Sequence, residues 1–133
     1  MKKILVDMSA TLIHHGHVRL LKRASKFGKV VVALTKDKEI KKVKGYMPEL
    51  NFQERKEILK SIIYVSSVIP SNWIIDKKFI KKHKIDYLIH GSDCTNPISK
   101  KKKILFKRTK GISSKKIREK IINNFLKENN QKN

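Results

Sequence analysis

The chain has 133 residues, which at about 100–200 residues per domain makes one domain with room for a hydrophobic core. Lys and Arg number 33 against 11 Asp and Glu, a formal net charge of +22, yet 39% of residues are hydrophobic, too many for a disordered basic tail. A single cysteine, Cys94, excludes an internal disulfide and a cysteine-based zinc finger; no apolar run approaches the roughly 18–20 residues of a membrane span, and Asp7 interrupts the first apolar stretch too early for a signal peptide, so a soluble cytoplasmic protein is expected.

In chain order, the apolar run Ile4-Leu5-Val6 suits a buried strand. From Gly16 to Phe27 the residues Val18, Leu20, Leu21, Ala24 and Phe27 recur at helical spacing, and Gly28 follows as a stop. Residues 29–34 are apolar and β-branched, as in a central parallel strand. Residues 36–50 are polar, carry Gly45 and Pro48, and predict a loop. Asn51, with Glu54 three residues later, predicts a capping box and a helix to about residue 63. A third strand is expected at 65–69, stopped by Pro70, then a short helix at 76–83 and a fourth strand at 87–89. A polar loop at 90–103 leads to a fifth strand at 104–106. Ser113 caps a last helix to about Leu126, with Ile117, Ile121, Ile122 and Phe125 on one face; the polar tail 127–133 is expected to fray.

This alternation predicts one α/β domain over 1–126, a Rossmann-like, doubly wound sheet of five parallel strands. Such sheets bind ligands beyond the carboxyl ends of their strands, which directs attention to loops 7–16, 35–50, 90–95 and 108–114. A pI near 10.3 is the footprint of a nucleic-acid binder. The lysines, however, are spread along the chain, with few aromatics among them. The charge supports affinity for phosphates and does not choose between a nucleotide and a polymer.

The first loop carries His14-His15-Gly16-His17, two imidazoles flanking a glycine where a strand gives way to a helix. A helix N-terminus presents free N–H groups and a partial positive charge, so it holds phosphate. Gly16 lets the backbone approach a ligand, and His14 and His17 are candidate donors to a phosphate oxygen as charge builds on it. A metal site or two ordinary surface histidines are the alternatives, and zinc lacks a third ligand nearby. The last loop reads Arg108-Thr109-Lys110-Gly111-Ile112-Ser113-Ser114. Arg108 offers a forked donor, Gly111 an unusual backbone conformation, and the serines hydroxyls at a helix start. A plain serine cap among solvated lysines is the alternative.

Together, His14-x-Gly16-His17 and Arg108-Thr109-x-Gly111-Ile112-Ser113-Ser114 resemble the cytidylyltransferases typified by glycerol-3-phosphate cytidylyltransferase. Between them, Glu54-Arg55-Lys56 is similar to the family's middle arginine motif, Pro70 with Trp73 to its tryptophan segment, and His90-Gly91-Ser92-Asp93 to its Gly-x-Asp turn. The chain departs from the family in having Met8-Ser9-Ala10-Thr11 for Gly-Thr-Phe-Asp, and Cys94 where a tryptophan is usual. These changes lie around the ligands, so they bear on the acceptor.

The resemblance implies transfer of CMP from CTP to a small phosphorylated alcohol such as glycerol 3-phosphate, with release of pyrophosphate. It implies Mg2+ bound mainly through the nucleotide phosphates, and a homodimer. Catalytic candidates are His14, His17, Lys44 and Arg108. Nucleotide-binding candidates add Ser9, Ala10, Gly16, Thr109, Gly111, Ile112, Ser113 and Ser114. Acceptor-binding candidates are Lys44, Arg55, Trp73 and Asp93, and no protein metal ligand is assigned. CTP-dependent activation of a small phosphonate and an ATP-dependent adenylyltransferase are the alternatives. A non-catalytic nucleic-acid-binding domain ranks well behind; neither a membrane nor a specific nucleic acid is expected as partner.

Overall fold

The structure is a computed structural model. It describes residues 1–91 and 95–132, the last by its backbone alone. Five strands, β1 (Lys3–Met8), β2 (Lys29–Thr35), β3 (Ser67–Ser71), β4 (Tyr87–Gly91) and β5 (Lys103–Phe106), form one sheet in the order β3-β2-β1-β4-β5. Every pairing is parallel, with Val6 of β1 opposite Val32 of β2 on one side and Ile89 of β4 on the other. Helices α1 (His15–Ser25), α2 (Asp37–Lys44), α3 (Phe52–Lys60), α4 (Lys77–Lys82) and α5 (Ser114–Lys132) complete the expected α/β architecture.

The two-residue period of a strand divides the core into two layers. Ile4, Val6 and Met8 of β1 pack with Leu21 and Ala24 of α1 and Leu59 of α3. Leu5 and Leu88 face the other way, against Ile75, Ile80 and Ile98. Strand order reverses between β1 and β4, which opens a crevice at their carboxyl ends.

Three expectations are corrected. Residues 37–44 form α2 within the segment predicted as loop. Its first turn carries Asp37 and Glu39 and its last Lys41, Lys42 and Lys44, charges that suit the helix dipole, and Gly45 ends it in the left-handed region at φ 83°. Only Ile40 is buried, so apolar periodicity has almost nothing to register. Pro70 lies inside β3 opposite Leu34 rather than stopping it. β3 is an edge strand paired only with β2, and proline, which has no N–H, is tolerated on an open edge. Finally, α5 continues through the tail to Lys132, since no Gly or Pro interrupts it. Its side chains Ile121, Ile122, Phe125 and Leu126 are exposed rather than packed on the sheet.

Candidate active site

The first loop and α1 are locked together by the histidines themselves. His14 is the N-cap of α1, with extended backbone, and its Nδ1 accepts from Gly16 N at 3.0 Å. His17 Nδ1 in turn accepts from His14 N at 3.1 Å. This is a capping box built from two imidazoles in place of serine and glutamate. Because each Nδ1 is an acceptor, the neutral ring of each carries its proton on Nε2. Burial, and after it the neighbouring His15 and Arg108, hold His14 below the ordinary imidazole range. Burial, with His14 and Arg108, lowers His17 to about 3. At neutral pH both rings are therefore neutral Nε2–H donors. A Cβ on Gly16 would stand 2.8 Å from His14 Cε1 and 3.3 Å from Ile112 Cγ2, so this position admits no side chain without moving the ring. Just upstream, buried Ala10 adopts φ 46°, a strained value for a residue with a Cβ.

The last loop faces the first. Ser114 Oγ donates to Leu12 O at 2.9 Å and accepts from Leu12 N at 3.2 Å, so the start of α5 is tied to the histidine loop. Ser113 Oγ accepts from Lys116 N at 3.1 Å, the expected cap. Between the two loops lies a cavity of about 880 Å³, with His14, His17, Arg108, Thr109, Ile112 and Ser113 in its wall. Ser9, Ala10, Gly16 and Ser114 also border it; Gly111, at φ 79°, shapes the turn and does not line the cavity.

On the β2 side, Lys44 and Trp73 border the same cavity, with Lys44 Nζ 5.6 Å from the indole ring centre. Arg55 does not join them. It is fully buried, with Nη1 donating to Ser9 O at 2.6 Å, Nη2 to Asp37 Oδ1 at 2.6 Å and Nε to Leu50 O at 3.0 Å. Each guanidinium nitrogen thus serves the protein: Arg55 fastens the first loop, α2 and the segment before α3. Asp93 and Cys94 lie outside the described residues.

Two groups in the cavity wall were not selected from the sequence. Asp7 and His90 end neighbouring strands at the switch point, with His90 Nδ1 2.5 Å from Asp7 Oδ1. Asn96 Nδ2 donates to Asp7 Oδ2 at 3.0 Å, and Asn96 Oδ1 accepts from Ile75 N at 2.9 Å. Their signal was weak: an acid ending one predicted strand and a histidine following another, with the pairing set by strand order. The second group is Arg118, which reaches Thr11, Tyr46 and Glu49 from α5. It reads in sequence as one more solvated cation.

A parallel sheet with a switch-point crevice, a histidine-capped helix N-terminus and a second, arginine- and serine-bearing loop across from it define an α/β nucleotidyltransferase. A family model described as cytidylyltransferase-like matches residues 9–120, and the chain belongs to that family; it is a cytidylyltransferase. The glycerol-3-phosphate cytidylyltransferase of Bacillus subtilis (strain 168) is 35% identical, over 91% of this chain and 98% of the relative. That of Staphylococcus aureus (strain NCTC 8325 / PS 47) is 33% identical, over 91% of this chain and 96% of the relative. The fold matches a lipopolysaccharide core biosynthesis protein from Thermoplasma volcanium GSS1 with a TM-score of 0.63 at 22% identity, over 71% of this chain and 78% of that one.

Proposed function

We propose that the protein transfers CMP from CTP to glycerol 3-phosphate. A phosphate oxygen of the acceptor attacks the α-phosphorus of CTP. The new P–O bond forms as the bond to the β-phosphate oxygen breaks, and pyrophosphate leaves with that electron pair. The attacking oxygen is already anionic at neutral pH, so no carboxylate base is needed. The chain's contribution is positioning and charge stabilisation. His14 and His17 donate through Nε2–H to oxygens around the α-phosphorus, where negative charge grows. Arg108 and the 113–114 serine turn hold the rest of the triphosphate, and Lys44 draws in the acceptor phosphate beside Trp73. The observation that carries this reading is the pair of neutral imidazoles, each fixed by a backbone N–H on Nδ1, at the rim of a cavity wide enough for a nucleotide.

The same reading includes a magnesium ion that arrives on the triphosphate. Among the described residues no three His, Cys, Asp or Glu side chains cluster to hold a metal, and Asp7 engages His90 and Asn96. Bound to the phosphates, such an ion would neutralise part of their charge. The acceptor is named from the two relatives that share nearly the whole chain. Among the described residues no helix is long and apolar enough to cross a membrane, in keeping with action in the cytoplasm on soluble substrates. A homodimer belongs to the same reading, and exposed Ile121, Ile122, Phe125 and Leu126 are side chains that a second copy would cover.

The test is pyrophosphate release from CTP or ATP with glycerol 3-phosphate, choline phosphate, ethanolamine phosphate or a hydroxyalkyl phosphonate. CTP with glycerol 3-phosphate should give the highest kcat/KM, at least about tenfold above ATP, a difference of roughly 1.4 kcal/mol. Equal use of CTP and ATP refutes the nucleotide assignment, and preference for another acceptor refutes the acceptor assignment.

A further inference from the structure

The rim of the cavity is closed by a junction that the reaction above does not use. Arg118, early in α5, stands at its centre. Its Nε and Nη2 donate to the two carboxylate oxygens of Glu49, the second at 3.2 Å. The same Nη2 donates to Thr11 Oγ1 at 2.6 Å. The guanidinium also lies 4.8 Å from the ring centre of Tyr46. One cation thus joins α5, the histidine loop and the segment between α2 and α3. A planar guanidinium suits this because its fork matches a carboxylate while its face lies on an aromatic ring. The Arg118 side chain is 22% exposed and that of Glu49 41%, so the pair is partly open to solvent. The bond holds the Glu49 carboxyl below its usual range and raises Arg118.

The two ends of the junction differ in firmness. On one side, Ser114 fastens α5 to Leu12 through both backbone groups. On the other, the segment 45–51 is held at its two ends, by Gly45 N donating to Lys41 O at 2.8 Å and by Arg55 on Leu50 O, with Asn51 capping α3. Between these ends Pro48 is buried, whereas Gly45, Tyr46, Met47 and Glu49 are exposed, so burial does little to place the Tyr46 and Glu49 side chains themselves. Lys44 opens this stretch, and Lys44 and Tyr46 both border the cavity. Thr11 brings no charge, so the charge partner of Arg118 comes from Glu49, and the segment is drawn in with it.

We infer that Arg118 and Glu49 form a latch that holds the 45–51 segment against α5 and so positions Lys44 and Tyr46 for the acceptor. Both are positioning residues, without a part in bond making. The inference rests on the acceptor-side reading of the cavity given above.

Two variants test it, Glu49→Gln and the double variant Thr11→Asp/Glu49→Gln. Two readouts apply: trypsin cleavage after Lys44 in the native protein, which needs no substrate, and separate KM values for glycerol 3-phosphate and CTP alongside kcat. Glu49→Gln should speed that cleavage and raise the acceptor KM, each about fivefold, the upper range for a partly exposed pair, with the CTP KM and kcat within about twofold. The double variant returns a carboxylate to Arg118, but from the histidine loop, so it should restore neither. Unchanged cleavage in Glu49→Gln overturns the latch. So does faster cleavage with an unchanged acceptor KM, or full rescue by Thr11→Asp. Absence of turnover in the wild-type protein would instead refute the proposed reaction, and the cleavage arm would still decide whether the latch exists. Glu49 is 41% exposed, so glutamine there leaves the fold intact, which thermal melting verifies.

Discussion

Replacing Arg55 by methionine separates a structural role from a ligand-binding one. Methionine keeps much of the aliphatic packing and removes the guanidinium. Three acceptors then lose their donor at once: Ser9 O, Leu50 O and Asp37 Oδ1. Removing one partner of a buried ion pair costs about 3–5 kcal/mol, because the remaining charge is uncompensated. Asp37 is 26% exposed and regains some hydration, which favours the lower end for that pair. The two carbonyls are only part-buried and regain some hydration, so each adds at most about 1 kcal/mol and the sum stays near 3–5 kcal/mol. Domains of this size are stable by only about 5–15 kcal/mol, so roughly a fifth or more of the total is at stake. With an unfolding entropy of about 2.1 cal/mol/K per residue, the midpoint should fall by roughly 10–18 °C. Thermal melting followed by circular dichroism measures this directly. Arg55→Lys keeps the charge but not the three-way fork, and should recover less than half of the loss. A midpoint within about 3 °C of wild type, together with a tenfold rise in acceptor KM, would refute the reasoning and return Arg55 to the acceptor site.

Two further outcomes are expected. An imidazole whose folded pKa lies below its unfolded one resists protonation, so His17 contributes stability that is complete above about 6.5 and is lost as the pH falls toward 3. Urea titrations of wild type and His17→Asn should therefore diverge below pH 6.5, wild type losing up to about 1.4 kcal/mol more per unit; parallel curves would contradict a neutral, buried His17. Gly16→Ala puts a methyl group 2.8 Å from His14 Cε1 and should displace that ring, cutting kcat by about 10²-fold while the melting midpoint moves little. Near-normal kcat would show that the ring position does not matter.

The alternation of strands and helices is legible in the residues alone, because β1, β2 and β4 are buried on both faces and read as unbroken apolar runs. The sequence also disclosed both loops that border the cavity, since each carries distinctive residue types at close spacing: His14, Gly16 and His17 in one, Arg108 and the serines in the other. The helix at Asp37–Lys44 was legible only in its charges and its closing glycine, because a helix with one buried side chain carries no apolar stripe. Roles that depend on contacts distant in sequence were decided by the tertiary structure alone. Arg55 and Arg118 are chemically alike, yet in sequence one reads as an acceptor contact and the other as a solvated cation. One is buried beneath the first loop, 46 residues from the carbonyl it holds, and the other closes the rim, 69 residues from its carboxylate. Asp7 and His90 meet only because β1 and β4 are neighbours, 83 residues apart in the chain. Local spacing determines what a turn can bind, whereas the partner of a long charged side chain depends on which strands and loops the fold sets side by side.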